Sequence, residues 1–188
     1  VKGQQTPAIA KYTEALTIAM DKANKFTKKL QAQTNREVAE GYVSGNTKDL
    51  AKAMQHVDAA IALDATDPEA QILKGDILWE QNPTDASQPI AFYKKASDLR
   101  TTSAKPVARR GLVYHRAKNF DAAIAEYDKA IGIEPGFAPA FRGRAESNFG
   151  KRDFQKAKAD YDEYLKLNSG SQSAMVRYAQ FLYLVQDY

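Results

Sequence analysis

One interval constrains this chain more than its composition does. From Thr34 onward, glycine, alanine and aromatic residues recur with a period of 34 residues. Gly41, Gly75 and Gly111 are each followed by a small residue, then an apolar or aromatic one, then an alanine. A period of this length suits two short helices and their turns, and neither helix of such a pair can bury its apolar stripe alone. Neighbouring pairs must stack to share one core, which predicts an all-α solenoid of antiparallel helix pairs. Glycine and alanine at the recurring positions let helix axes approach closely, while Tyr114, Tyr127 and Tyr161 fill the wider gaps. A chain built this way works through the surface it presents.

The interval is clearest between Ala104 and Pro135, where Gly111, Tyr114, Ala123, Tyr127, Ala130 and Pro135 stand at offsets 8, 11, 20, 24, 27 and 32. These residues resemble the tetratricopeptide repeat. Residues 138–171 keep Phe141, Ala145, Ala157, Tyr161 and Leu165 in register, but carry Tyr164 where a small residue is usual and Ser169 in place of the closing proline. Residues 34–67 carry Gly41, Ala53, Val57, Ala60 and Leu63, with Ala65 replacing the proline. Residues 68–103 fit, through Gly75 and Ala96, only with two extra residues in the turn between Asn82 and Gln88. The resemblance implies four units, 34–67, 68–103, 104–137 and 138–171, wound as a right-handed superhelix with a concave inner surface.

In this family, offsets 2, 5, 6, 9 and 13 of each unit line that inner surface. Near the end of the chain they present Lys105, Arg109, Arg116, Arg142 and Arg177. Earlier units show Tyr42, Ile72, Leu73, Asp76 and, nearby, Trp79. The expected groove is therefore apolar toward its beginning and basic toward its end. Arginine forks hold carboxylates in bidentate geometry, so a protein or peptide partner with acidic residues or a free C-terminus suits the basic end. Some family members clamp the terminal carboxylate of chaperones with lysine, asparagine and arginine across three units. Lys105 and Arg109 match the last pair of that pattern, but Val38, Tyr42 and Leu73 stand where a lysine and two asparagines are required, so a chaperone-tail receptor is not expected.

Both ends read as parts of something longer. Ala8, Ile9, Tyr12, Ala15 and Leu16 resemble the second helix of a preceding repeat. The apolar series Ile9, Tyr12, Leu16, Ala19, Ala23, Phe26, Leu30 predicts one long helix within residues 1–33, with Lys22, Lys25, Lys28 and Lys29 on its outer face. Residues 172–188 predict the first helix of a further unit, apolar nearly all round. Such a helix is expected to be covered on two sides, with Met175, Tyr178, Phe181, Leu182 and Val185 forming an interface with the fourth unit and with a downstream domain or a second copy of the chain.

Composition narrows the function classes. At 188 residues and 44% hydrophobic content the chain can bury a substantial core. No run of eighteen apolar residues suggests membrane insertion, and no signal peptide is visible. The absence of cysteine excludes disulfides, thiolate chemistry and cysteine zinc sites. It leaves a cytoplasmic or a bacterial periplasmic or envelope setting open for a soluble chain. His56 and His115, the two histidines, lie in no metal-binding or nucleophile pattern, and no glycine-rich phosphate loop occurs. Acidic residues such as Asp160, Asp162 and Glu163 alternate with lysines at helical pairing distances. The reading is non-enzymatic, with no cofactor and no metal; a regulatory or targeting module of an enzyme elsewhere in the polypeptide is the alternative. The net charge of +4 permits nucleic acid, but the 34-residue period and mixed inner residues, without stacking aromatics, argue against a single-strand reader.

Overall fold

The computed structural model describes residues 7–21, 26–45 and 48–185. Among them it forms ten helices and no strand: α1 (Pro7–Met20), α2 (Lys28–Ser44), α3 (Leu50–Leu63), α4 (Pro68–Gln81), α5 (Ser87–Leu99), α6 (Lys105–Arg116), α7 (Phe120–Ile133), α8 (Ala138–Gly150), α9 (Phe154–Leu167) and α10 (Gln172–Val185). They fall into two compact units, divided between Leu99 and Arg100.

Local chemistry sets the helix boundaries. Asp49, Asn119 and Asp153 each accept a hydrogen bond from the backbone N–H three residues on, capping the second helix of a pair. The first helices start with proline in their opening turn, at Pro68, Pro106 and Pro139, where no intrahelical N–H is needed. The tight turns 117–119 and 151–153 rest on left-handed residues, Lys118 at φ 58° and Arg152 at φ 63°. There the amide of Asn119 returns to the carbonyl of Tyr114, and that of Asp153 to Asn148, both at 2.9 Å.

In the first unit, α1 packs on α2, α2 on α3, α3 on α4 and α4 on α5. Val38, Tyr42, Val57, Leu73 and Ile77 form its centre with Ile9. The apolar series from Ile9 to Leu30 does not form one helix. Thr27 takes extended backbone, and its side chain accepts from the Leu30 amide at 3.2 Å, so α2 is capped afresh. That break lets α1 pack back on α2, burying Ile9 and Ala19, and Gln31 Nε2 donates to the Ala19 carbonyl at 3.0 Å. A continuous helix would keep those residues from α2, and their burial favours the hairpin. Of the same series and its lysine face, Lys22, Ala23 and Lys25 and the side chains of Ala8 and Tyr12 lie outside the described residues.

The second unit stacks α6 on α7, α7 on α8, α8 on α9 and α9 on α10, and α6 also touches α8. Its centre is the Tyr127 ring, 2% exposed, lying flat against helix backbone on two sides. A Cβ placed on Gly111 would sit 2.8 Å from the ring, and one on Gly143 would run into its Cζ and hydroxyl. Gly75 makes the same approach to Tyr93 in the first unit, with 2.5 Å between an added Cβ and the ring. Tyr161 occupies the corresponding place on α9 and packs on Phe181 at 4.7 Å between ring centroids.

Polar latches tie α4 to α3, α8 to α7 and α10 to α9. Lys74 binds Asp58, Arg144 binds Asp128 and Tyr178 binds Asp162, each across 16 positions. Within the pairs, Arg110 holds Glu126 at 2.8 Å, and Arg144 holds both oxygens of the buried Asp160, at 2.9 and 2.5 Å, with Asn148 Nδ2 donating to the same carboxylate. These bonds raise the Arg144 pKa, its hydrogen bond to Asp160 most of all.

Two stability outcomes follow. Gly111→Leu is expected to lose about 1–3 kcal/mol through overpacking against Tyr127, whereas Gly132→Ala on α7, with open space around an added Cβ, should gain about 0.4–1 kcal/mol; urea midpoints of both variants check the pair. Arg144→Met strands the Asp160 carboxylate and should cost about 3 kcal/mol. Asp128→Asn removes only the outer, half-exposed arm of that cluster and should cost under about 1 kcal/mol in the same denaturation assay.

Candidate functional site

Residues at offsets 2, 5, 6, 9 and 13 of the second unit converge on one surface of α6, α8 and α10. Two cavities open there. The smaller, about 280 Å³, is walled by Lys105, Arg109 and Leu112 of α6 and by Arg142 and Glu146 of α8. Its floor is the Tyr127 ring seen across Gly143, whose missing side chain leaves the space open. The larger, about 530 Å³, lies between the end of α6, α8 and α10, lined by Phe120, Phe149, Tyr161 and Phe181, with Arg116, Lys118, Arg177 and Leu184 exposed around it. The larger is within the size range of ligand-binding clefts and the smaller lies just below it.

Electrostatics in this region are one-sided. Among the described residues lining the two cavities, Glu146 is the one carboxylate, and it borders both. Arg142 Nε lies 3.6 Å from Glu146 Oε1, outside hydrogen-bond reach, and this buried N–H has no acceptor. A buried donor in that position favours an incoming carboxylate oxygen. Burial, reinforced by the Glu146 charge, pushes the Tyr127 hydroxyl far above the ordinary phenol range and the Tyr161 hydroxyl up to about 12. Both therefore remain neutral and able to donate.

His115 stands in the wall of the larger cavity. Ser147 Oγ donates to the Gly143 carbonyl at 2.8 Å, which leaves its oxygen to accept from His115 Nδ1 at 3.0 Å. In the first unit, His56 pairs with Asn35 Oδ1 at 3.2 Å and stacks on Tyr42. No group of three or more metal-binding side chains occurs among the described residues.

The structure separates the residues that the sequence pattern grouped as one groove. Lys105, Arg109, Arg116, Arg142 and Arg177 line the two cavities of the second unit. Tyr42, Ile72, Leu73 and Trp79 do not form an open apolar groove: they are 5%, 2%, 8% and 8% exposed. Tyr42 and Leu73 belong to the first unit's core, where α2 and α4 close over these inner positions. Asp76 is half-buried and accepts from the Tyr93 hydroxyl at 2.8 Å, a structural tie.

The terminal helix also divides differently from its reading as an interface. Tyr178, Phe181, Leu182 and Val185 pack inward on the core that includes Tyr161 and Tyr164. Of the five named residues, Met175 is the one that faces out, at 49% exposed, together with Val176, Tyr183 and Leu184. A helix apolar on all sides carries no mark of which side is covered; neighbouring α9 decides that. Glu146, Phe149, Gln180 and Leu184 were missed as site residues. Glu146, Gln180 and Leu184 stand at offsets 9 and 13, so the spacing rule alone could have found them.

Comparison with known proteins agrees with the helical-repeat fold. A tetratricopeptide repeat family model matches residues 104–137. Serine/threonine-protein phosphatase 5 of Rattus norvegicus is 26% identical over 103 residues, covering 55% of this chain and 21% of the phosphatase. The chain thus corresponds to about a fifth of the length of that curated relative. Among solved structures, that of MamA superposes with a TM-score of 0.63 at 23% identity, covering 85% of this chain and 86% of MamA. The first TPR of Spaghetti (RPAP3), bound to the HSP90 peptide SRMEEVD, superposes with a TM-score of 0.56 at 21% identity over 65% of this chain and 96% of that one. These two likenesses are of fold.

Burial lowers the pKa values of both His56 and His115 from 6.5, their first cause in each case. The unfolded chain therefore takes up these protons first as the pH falls through 6.5, and stability present above that value is lost below it. His115→Asn should flatten the fall in thermal midpoint between about pH 7 and pH 5, and adding His56→Asn should flatten it further, as read by calorimetry across that range.

Proposed function

We propose that this chain, whose stacked helix pairs resemble the tetratricopeptide repeat family, is a non-enzymatic scaffold which holds an acidic segment of a partner protein on the face formed by α6, α8 and α10. The observation that carries this reading is the Arg142 guanidinium, whose buried Nε–H lacks an acceptor inside a cavity also walled by Lys105 and Arg109. A carboxylate entering there replaces the water lost by these cations with charge-assisted hydrogen bonds. The neutral Tyr127 beneath adds an apolar floor to the pocket. An extended peptide suits the site because its side chains alternate and can reach successive cavities from one backbone path.

The structure of the Spaghetti (RPAP3) repeat with its acidic peptide is a parallel for this mode of binding. It is a parallel in kind, since Val38, Tyr42 and Leu73 replace the polar residues of the chaperone-tail clamp and are buried. A second reading has the phosphatase likeness behind it: these repeats serve as the non-catalytic arm of a longer polypeptide whose enzyme lies elsewhere. The size of the native gene product on an immunoblot distinguishes the two.

Fluorescence anisotropy with an acidic and a neutral labelled peptide tests the scaffold reading. The acidic peptide should bind, and Arg142→Glu should weaken it about tenfold, roughly 1.4 kcal/mol, with wild-type helicity retained. Equal binding of both peptides, or no effect of Arg142→Glu, would sink it. Steep salt-dependent retention of a single-stranded oligonucleotide in place of the peptide would move the function to nucleic acid.

A further inference from the structure

We infer that the acidic segment carries, beside its carboxylate, a large uncharged apolar or aromatic side chain that enters the cavity between α6, α8 and α10, and that Glu146 sets this order. The inference rests on the reading of the groove given above and adds the second determinant of specificity.

The larger cavity is built unlike the smaller one. Its interior is a cluster of rings: Phe149 meets Phe181 edge-on at 5.9 Å, and Tyr161 lies 4.7 Å from Phe181. Leu184 opens onto the cluster and is 52% exposed, so a large aliphatic side chain faces solvent at the mouth of an aromatic pocket. Covering that surface with an apolar group releases ordered water at little polar cost. Arg116, Lys118 and Arg177 stand around the rim. Such a rim repels a lysine or arginine from the incoming chain, and its charge is complementary to acidic residues flanking the anchor.

Glu146 decides which side chain goes where. It is the carboxylate shared by both cavities, and Arg142 beside it faces the smaller one. A second carboxylate entering the larger cavity would approach Glu146, and like charges at close range repel. The smaller cavity escapes this penalty because its cations, Lys105, Arg109 and Arg142, are half-buried, whereas Arg116, Lys118 and Arg177 of the larger one are exposed and screened by water. An uncharged anchor meets no such opposition in the larger cavity and gains the contact with Phe149, Phe181 and Leu184.

The test uses labelled acidic peptides identical but for one position, occupied by Phe, Ala, Asp or Lys, placed on either side of the acidic pair with alanine spacers of increasing length. At the best spacing the Phe peptide should bind about tenfold tighter than the Ala peptide, with Asp and Lys weaker than Ala. Leu184→Ser, a change at an exposed position, should remove most of the preference for Phe over Ala. Glu146→Gln should bring the Asp peptide up toward the Ala peptide. If acidic peptides bind but all four residues are equivalent at every spacing, the second determinant is overturned and the acidic groove stands. Equal weakening of the Phe and Ala peptides by Leu184→Ser would overturn it in the same way. If none of the peptides binds, the groove reading fails first.

Discussion

The second unit depends on one close approach: an aromatic ring pressed on helix backbone where no side chain intervenes. Tyr127 lies against Gly111 of α6 and Gly143 of α8, and both glycines are needed because a Cβ at either would occupy the ring's volume. Well-packed interiors have no slack to absorb such a collision. This approach brings α6 and α8 together, and so makes Lys105, Arg109 and Arg142 the walls of one cavity. The candidate site is a by-product of the packing: the face of Gly143 that admits the ring also leaves the pocket floor bare.

Arginines at neighbouring positions have opposite fates for the same geometric reason. Arg110 and Arg144 point toward the second helices and are taken up by Glu126, Asp128 and Asp160. Two positions before Arg144, and six after Arg110, the helix presents its side chains on another face, where Arg142 and Arg116 border the cavities together with Arg177 of α10. The latches keep the pairs aligned, and the second set lines the two cavities, with Glu146 the one carboxylate among the described lining residues.

Much of this arrangement was legible in the spacing. The helix pairs around Gly111 and Ala145, the aromatic filling of the seams and the cluster of basic inner residues near the end of the chain follow from period and offset. Tyr93, Tyr127 and Tyr161 share the 34-residue interval, so the ring that fills the seam of the first unit is also legible in the spacing. Tyr42, Ile72, Leu73 and Trp79 occupy equivalent or neighbouring positions to the basic residues, yet are buried. An offset says which way a side chain points, and says nothing of whether another helix closes over it. The break between α1 and α2 was hidden because the apolar steps continue through it, while the Thr27 cap competes with helix continuation by a single hydrogen bond.

What the sequence determined by itself was the class of the fold and the side of each helix that seeks a neighbour, because both depend on periodicity and on side-chain volume, which are local properties. What only the tertiary structure decided was which charges are spent in latches, which apolar residues are covered, and that Glu146 stands between two different pockets. Those outcomes depend on distances between helices far apart in the chain, and an offset that is core in one unit is surface in another.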